Sequence, residues 1–244
     1  MIISERKGFT FFQFEQLLLP RLDHLVTNRF FPFDLTQLEG KNKLAEILNT
    51  DEIIFPRQVH GSNLRLVDRA SLSWGRGANF FADGLLTAEK RLYLGILVAD
   101  CFPLLFFDPE KQALSVVHAG WRGIWQGIHL KTLGKMQLFF GSTPSSLIVG
   151  IGPGIGKCCF EVRQEVKEYF EQVPARANYI FPVSQNQWKV DLPGILVREL
   201  VEAGVRRGQI EIFPACTSCH TQTFYSFRKE GPKAKRFALV AALQ

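Results

Sequence analysis

ALSVVHAGWRGIW, residues 113–125, joins an apolar run of strand character to a histidine, a tryptophan and an arginine set among small residues. β-branched and aliphatic residues up to Val117 favour a buried strand, and the pattern from Ile124 onward has helical spacing. The stretch therefore reads as strand, tight turn, helix, with His118, Trp121 and Arg122 gathered where the strand opens. That position suits a site, because side chains from several strand ends can converge there.

Working outward, strand-like runs occur at 53–55, 64–67, 84–87, 94–98, 104–107, 114–118, 147–150 and 210–213. Helical periodicity appears over 11–19, 124–140, 162–172 and 192–203. Between residues 53 and 118 strands follow one another with no helix of good length, which predicts antiparallel or mixed neighbours rather than a regular βαβ alternation. The expected fold is α/β in the mixed α+β sense, a layered sandwich of mixed sheets flanked by helices. Residues 173–190, the longest irregular region, still contain strand-like patches. No repeat or low-complexity stretch divides the chain, so residues 1–244 read as one domain.

The 244 residues are 46% hydrophobic, with 22 phenylalanines against two methionines, enough for a large aromatic core and too much for extensive disorder. Net charge is +6 and the isoelectric point about 9.1, but the basic residues are scattered and only KEGPKAKR (229–236) clusters. Nucleic acid is therefore not the expected partner, whereas anionic small molecules are. Charges interrupt the apolar N-terminus, and no run is long enough to span a bilayer. Five cysteines without an export signal point to a reducing, cytoplasmic setting with no membrane partner.

Three segments share one design. PRQVHG ends in His60 and Gly61, GILVADCFP carries Cys101 after an apolar strand, and SVVHAGWRG carries His118 after another. Each sets a borderline or soft ligand at a strand end, and imidazole with thiolate suits zinc or copper. The ligands are far apart in sequence, unlike the close pairs of a zinc finger, and three of them leave a tetrahedral position open for water or substrate. Taken singly, each histidine reads more readily as a buried polar residue with a partner; three matching contexts tip the balance modestly toward a metal site.

His60-Gly61, Ala82-Asp83-Gly84, Ala99-Asp100-Cys101, HAGWRG (118–123), IGPGIG (151–156) with Phe160-Glu161-Val162, and Cys216-Thr217 followed by FYSFR (224–228) resemble the YfiH family, also called the laccase-domain or multicopper polyphenol oxidase-like family. The motifs run in order from about residue 57 to 237. The resemblance implies a layered α/β sandwich and a zinc site of His60, Cys101 and His118. It also implies a purine nucleoside phosphorylase acting on adenosine, inosine, guanosine and methylthioadenosine, with adenosine deaminase activity. Two segments depart from the family pattern: the N-terminal one survives only as Thr27-Asn28-Arg29 with FFPFDLTQLEG in place of a glycine-rich loop, and a threonine-glycine-arginine has become Ala234-Lys235-Arg236.

For the anion, Arg122, Arg29 and Arg228 are the candidates in that order, Arg122 because it stands in a turn that opens a helix. The competing role for Arg122 is a partner for a carboxylate such as Asp100, and Trp121 reads either as a purine platform or as a core residue. Copper-dependent polyphenol oxidation remains an alternative, but a full multicopper site asks for about ten histidines beside a cysteine, and the chain has five. A metal-free hydrolase or amidase acting on peptidoglycan precursors, with Cys101 as nucleophile and His118 as base, is another alternative. A non-catalytic metal-binding role is the last. C-x-x-C-H at 216–220 matches haem attachment but lacks the export signal. The adjacent Cys158 and Cys159 are expected to be packed thiols, since neighbours on a strand point to opposite faces.

Overall fold

The computed structural model describes residues 1–72 and 81–244. Among these residues, fifteen strands run as β1 (Ile2–Arg6), β2 (Phe9–Gln13), β3 (Leu22–Val26), β4 (Ile53–Ile54), β5 (Leu64–Leu66), β6 (Gly84–Thr87), β7 (Tyr93–Val98) and β8 (Phe102–Asp108) in the first half. The remainder are β9 (Ala113–Ala119), β10 (Ile148–Ile151), β11 (Glu161–Val162), β12 (Ile180–Ser184), β13 (Gln187–Val190), β14 (Ile210–Ile212) and β15 (Phe237–Leu243). The α-helices are α1 (Leu38–Leu48), α2 (Arg69–Leu72), α3 (Trp121–Trp125), α4 (Ile128–Phe140), α5 (Gln164–Glu171), α6 (Leu192–Glu202) and α7 (Phe227–Glu230).

Two six-stranded sheets form the centre, ordered β1-β2-β3-β15-β7-β4 and β14-β10-β8-β9-β6-β5, with β11-β13-β12 as a small third sheet. Both large sheets are mixed: β4 and β7 run parallel, as do β5 and β6, while β8, β9 and β6 are antiparallel neighbours. Leu94, Ile96 and Leu239 of the first sheet meet Leu105, Phe107, Leu114 and Val116 of the second in one buried cluster. Each such side chain contributes about 1.5–3 kcal/mol relative to exposure. The outer face of the second sheet packs under α3, α4 and α6 around Phe106, Val117, Ile128 and Leu196. The outer face of the first packs under α1 through Leu25, Leu44, Ile47 and Val240. Helix, sheet, sheet and helix thus stack in four layers, as the mixed α+β sandwich expectation required.

The expected strands are present within one or two residues at each end, and α6 matches its expectation. Two helices required correction, and a third is shorter than expected by two residues at its start and one at its end. Residues 11–19 are the end of β2 followed by a short 3-10 turn at Glu15–Leu17. Phe11, Phe14 and Leu17 are all buried there, so their three-residue spacing imitates a helix although strand and turn place them. The 124–140 helix is two helices, parted at Gly127, whose φ of +73° ends one and starts the other. The 162–172 helix is α5, preceded by β11. No helix among the described residues is long and apolar enough to cross a membrane.

Candidate metal centre and cleft

Two of the three sequence-predicted ligands lie where the chain passes between the large sheets. His60 lies between β4 of the first sheet and β5 of the second, and Cys101 on the short passage from β7 to β8. His118 is the penultimate residue of β9 and is buried. Their ligand atoms lie within 4.8 Å of one another, and the two imidazole rings stand edge to face with centroids 4.8 Å apart.

Asp83 organises this meeting. It is fully buried just before β6, and its Oδ1 lies 2.9 Å from His118 Nδ1. The same carboxylate accepts the backbone amides of His60 at 2.9 Å and Gly61 at 2.7 Å. Holding those amides fixes His60 in the left-handed region, at φ +58°. Engaging Nδ1 of His118 leaves Nε2 as the nitrogen available to an ion, and a carboxylate behind an imidazole raises its basicity as a ligand. Burial favours the neutral Asp83 carboxyl, but the His118 hydrogen bond and the amide of Gly61 outweigh it and hold the pKa below the usual carboxylate range.

Asp100, at φ +83°, turns the chain so that Cys101 reaches the histidines. A non-glycine residue in that region costs on the order of 1–3 kcal/mol, and three bonds hold it. Thr217 Oγ1 donates to its Oδ1 at 2.6 Å, the Arg228 amide to its Oδ2 at 2.7 Å, and the Ile155 amide to its carbonyl at 2.8 Å. Burial alone would raise the Cys101 thiol, but the adjoining His118 and His60 overcome it and pull the pKa well below the ordinary thiol value. For His118, burial opposes the charged form, while Cys101 and Asp83 raise the pKa overall. Gly120 closes the cradle: a Cβ there would come within 3.0 Å of Cys101 Sγ. The donor set, its buried carboxylate support and this close approach fit a metal ion held by His60, Cys101 and His118.

The three residues line a cleft of about 630 Å³, within the size range of small-molecule sites. Of the predicted arginines, Arg122 and Arg228 line it and Arg29 does not. The Arg122 guanidinium is exposed and lies 4.4 Å over the Trp121 ring. Asp100 has its bonds elsewhere, so the expected alternative of an Arg122–Asp100 pair is not what forms. Trp121 combines both of its readings, half-buried against the helical layer and facing the cleft. Arg228 donates to the carbonyls of Cys159 and Glu161 at 2.7 and 3.2 Å. Arg29 lines a separate depression with Cys159, Cys219 and Glu230; its Nη2 lies 2.7 Å from both Glu230 carboxylate oxygens, and its guanidinium covers the Tyr225 ring. That ion pair explains why it is unavailable to an anion in the cleft.

Three contributors were not assigned roles from sequence. Asp83 stood in the Ala82-Asp83-Gly84 motif, and an aspartate immediately before an apolar strand was its signal. Arg236 lines the cleft, and its signal was the arginine retained in Ala234-Lys235-Arg236. Thr36, from the altered FFPFDLTQLEG segment, also lines it, with no chemical signal in the sequence.

Residues 38–244 match the family model described as multi-copper polyphenol oxidoreductase laccase. The purine nucleoside phosphorylase YlmD of Bacillus subtilis is 29% identical over 83% of this chain and 76% of its own length. A Clostridium acetobutylicum purine nucleoside phosphorylase is 32% identical over 84% of each chain. Among solved structures, YfiH of Bacillus licheniformis superposes with a TM-score of 0.82 at 27% identity, covering 93% of this chain and 98% of that one. YlmD of Geobacillus stearothermophilus shares the fold with a TM-score of 0.86 at 24% identity, covering 99% and 98% respectively.

Proposed function

The chain belongs to the multi-copper polyphenol oxidoreductase laccase family, and from that premise and the chemistry of the cleft we propose that it is a zinc-dependent purine nucleoside phosphorylase. The observation that carries the reading is the juxtaposition of the His60, Cys101 and His118 ligand atoms with Arg122, Arg228 and Arg236 in one cleft. Relatives at about 30% identity bearing the phosphorylase name support it. The substrates are adenosine, inosine, guanosine and S-methyl-5′-thioadenosine, with deamination of adenosine as a second activity, in a reducing cytoplasmic setting.

Zinc at the three ligands would supply Lewis-acid polarisation of a bound water or nucleoside oxygen. The chain's own residues supply binding and orientation. Phosphorolysis forms a bond between a phosphate oxygen and C1′ of the ribose while the bond from C1′ to the base breaks, and the anion must be held through that exchange. Arg122 is exposed and has no carboxylate partner among the described residues; Arg228 and Arg236 add positive charge at the same cleft. Trp121 and Phe160 offer apolar faces to a purine.

Copper oxidation of phenols fits the inventory poorly. Three of the five histidines are committed elsewhere: His24 accepts from the Phe14 amide, His129 pairs with Glu199, and His220 lies 3.0 Å from the Cys216 carbonyl. Only His60 and His118 reach the cleft, too few for a multicopper cluster within one chain. One second reading has an observation of its own: Asp83, His118 and Cys101 follow one another as orienter, base and nucleophile would in a thiol hydrolase.

Chromatography of inosine incubated with zinc-loaded protein tests the proposal. Hypoxanthine should appear only with phosphate, and adenosine should yield ammonia. No turnover of any purine nucleoside would overturn it. His60→Ala separates the readings, because it removes a metal ligand while leaving the Asp83, His118 and Cys101 relay intact. Loss of zinc and turnover together supports the metal; full activity in metal-free protein supports the thiol.

A further inference from the structure

Four of the five cysteines lie outside the cleft machinery, and the fold gathers them into one cluster. Cys158 and Cys159 occupy a turn after β10, and Cys216 and Cys219 a second turn after β14. All four sulfurs lie within 4.8 Å of one another. Cys219 Sγ is 3.6 Å from Cys158 Sγ and 3.4 Å from Cys159 Sγ. The expectation of two packed thiols pointing apart is corrected here: residues 157–159 form a turn rather than a strand, so the alternation that separates neighbours does not operate.

We propose that Cys158, Cys159, Cys216 and Cys219 form a second metal centre, a closed tetrathiolate site for one zinc ion. Four sulfurs at the usual zinc–sulfur distance stand about 3.8 Å apart around a tetrahedron, close to the separations found here. A multi-iron cluster spreads its thiolates wider than a single ion does, so the compactness favours a mononuclear site. C-x-x-C at 216–219 has the spacing of one half of a structural zinc site. With four protein ligands no position is left for water or substrate, which makes the centre structural rather than catalytic.

Its location gives it a task. The two turns are already adjacent, through the Thr217 amide donating to the Gly154 carbonyl at 3.0 Å. Thr217 holds Asp100 beside Cys101, and the Cys159 carbonyl receives Arg228. Fixing the two turns together thus fixes one wall of the cleft, without the ion touching substrate.

Elemental analysis of protein purified reduced and without added metal tests the site independently of any activity. The intact chain should carry two zinc equivalents, Cys101→Ser one, and the Cys158→Ser, Cys219→Ser double variant also one. The lost equivalent in the double variant must be the tetrathiolate one, since it keeps the cleft ligands. Cobalt substituted into Cys101→Ser should give the intense visible absorption of tetrahedral thiolate coordination, and in that protein the four cysteines should resist alkylation until a chelator is added. The proposal falls if the double variant retains the full metal content of the intact chain. It also falls if the four thiols of the intact, reduced protein alkylate rapidly, or if mass spectrometry finds Cys219 in a disulfide with Cys158 or Cys159. Absence of metal from the cleft alone would leave one equivalent in the intact chain and none in the double variant, so failure of the phosphorylase reading is distinguishable.

Discussion

Asp83 spends both carboxylate oxygens on the site, one near His118 Nδ1 and the His60 amide, the other on the Gly61 amide. Asp83→Asn keeps the volume but removes the charge and replaces one acceptor with a donor, so it should weaken metal binding about 10- to 100-fold. Competition with a chelator of known affinity measures this, and unchanged binding would show that Asp83 only supports the loop. Arg122 and Arg29 make a matched pair of the opposite kind. Arg122→Ala should raise the KM for phosphate about tenfold or more, because a charge-assisted bond is worth about 1.5–3 kcal/mol, with little change in melting temperature. Arg29→Ala breaks a pair with Glu230 and a ring contact; it should lower the melting temperature and leave the phosphate KM in place. Reversal of those two patterns would move the anion site out of the cleft.

At the scale of elements, β9 and α3 meet at Gly120, the N-cap of the helix. Gly120→Ala places a methyl 3.0 Å from Cys101 Sγ, while its φ of −75° tolerates a side chain. The fold should therefore survive and the ligand set should not: far-ultraviolet circular dichroism is expected to match the parent while metal affinity falls about tenfold, from overpacking worth about 1–3 kcal/mol. Unaltered affinity would mean that Cys101 can retreat freely. This junction was legible in sequence, because a strand end, glycines and an apolar helical period follow one another within a dozen residues. Less was legible where the periods compete. β15, all seven residues buried between β3 and β7, reads as an apolar run without alternation. α1 begins at Leu38, and its N-cap residue Gln37 makes no side-chain cap, so its start lacked a signal. The approach of Cys101 and His118 could be argued from their strand ends, but His60 lies in the irregular stretch between β4 and β5 rather than at a strand end, and the four-cysteine cluster depended on two turns whose approach no local pattern encodes.

Across the whole molecule, buried titratable groups in different layers set the response to acid. Burial holds His24, in the first sheet, at a pKa of about 4. The unfolded chain, with a histidine near 6.5, takes up that proton first, so stability falls as pH drops from about 6.5 toward 4. Glu199 on α6 acts lower. Burial would raise its pKa, but His129 on α4 and Arg176 more than compensate and hold it at about 2. Its contribution is complete above about 4.5 and is lost as pH falls from there toward 2. Urea midpoints across pH should show both windows, and Glu199→Gln should abolish the lower one at the expense of stability at neutral pH. An identical slope in the variant below pH 4.5 would assign that loss to other carboxyls.

The passages of the chain at His60 and Cys101 bear on the molecule as a whole. Both lie on connections from one large sheet to the other, and His118 belongs to the second sheet. An ion bound there is a rivet through the sandwich. Occupancy and cohesion of the layers then share one equilibrium, and free metal at a thousandfold excess over its Kd adds about 4 kcal/mol to the folded state. Depletion of the metal would thus be read first as mechanical loosening of the protein, with shorter persistence against proteases, even in a cell that never called on its chemistry.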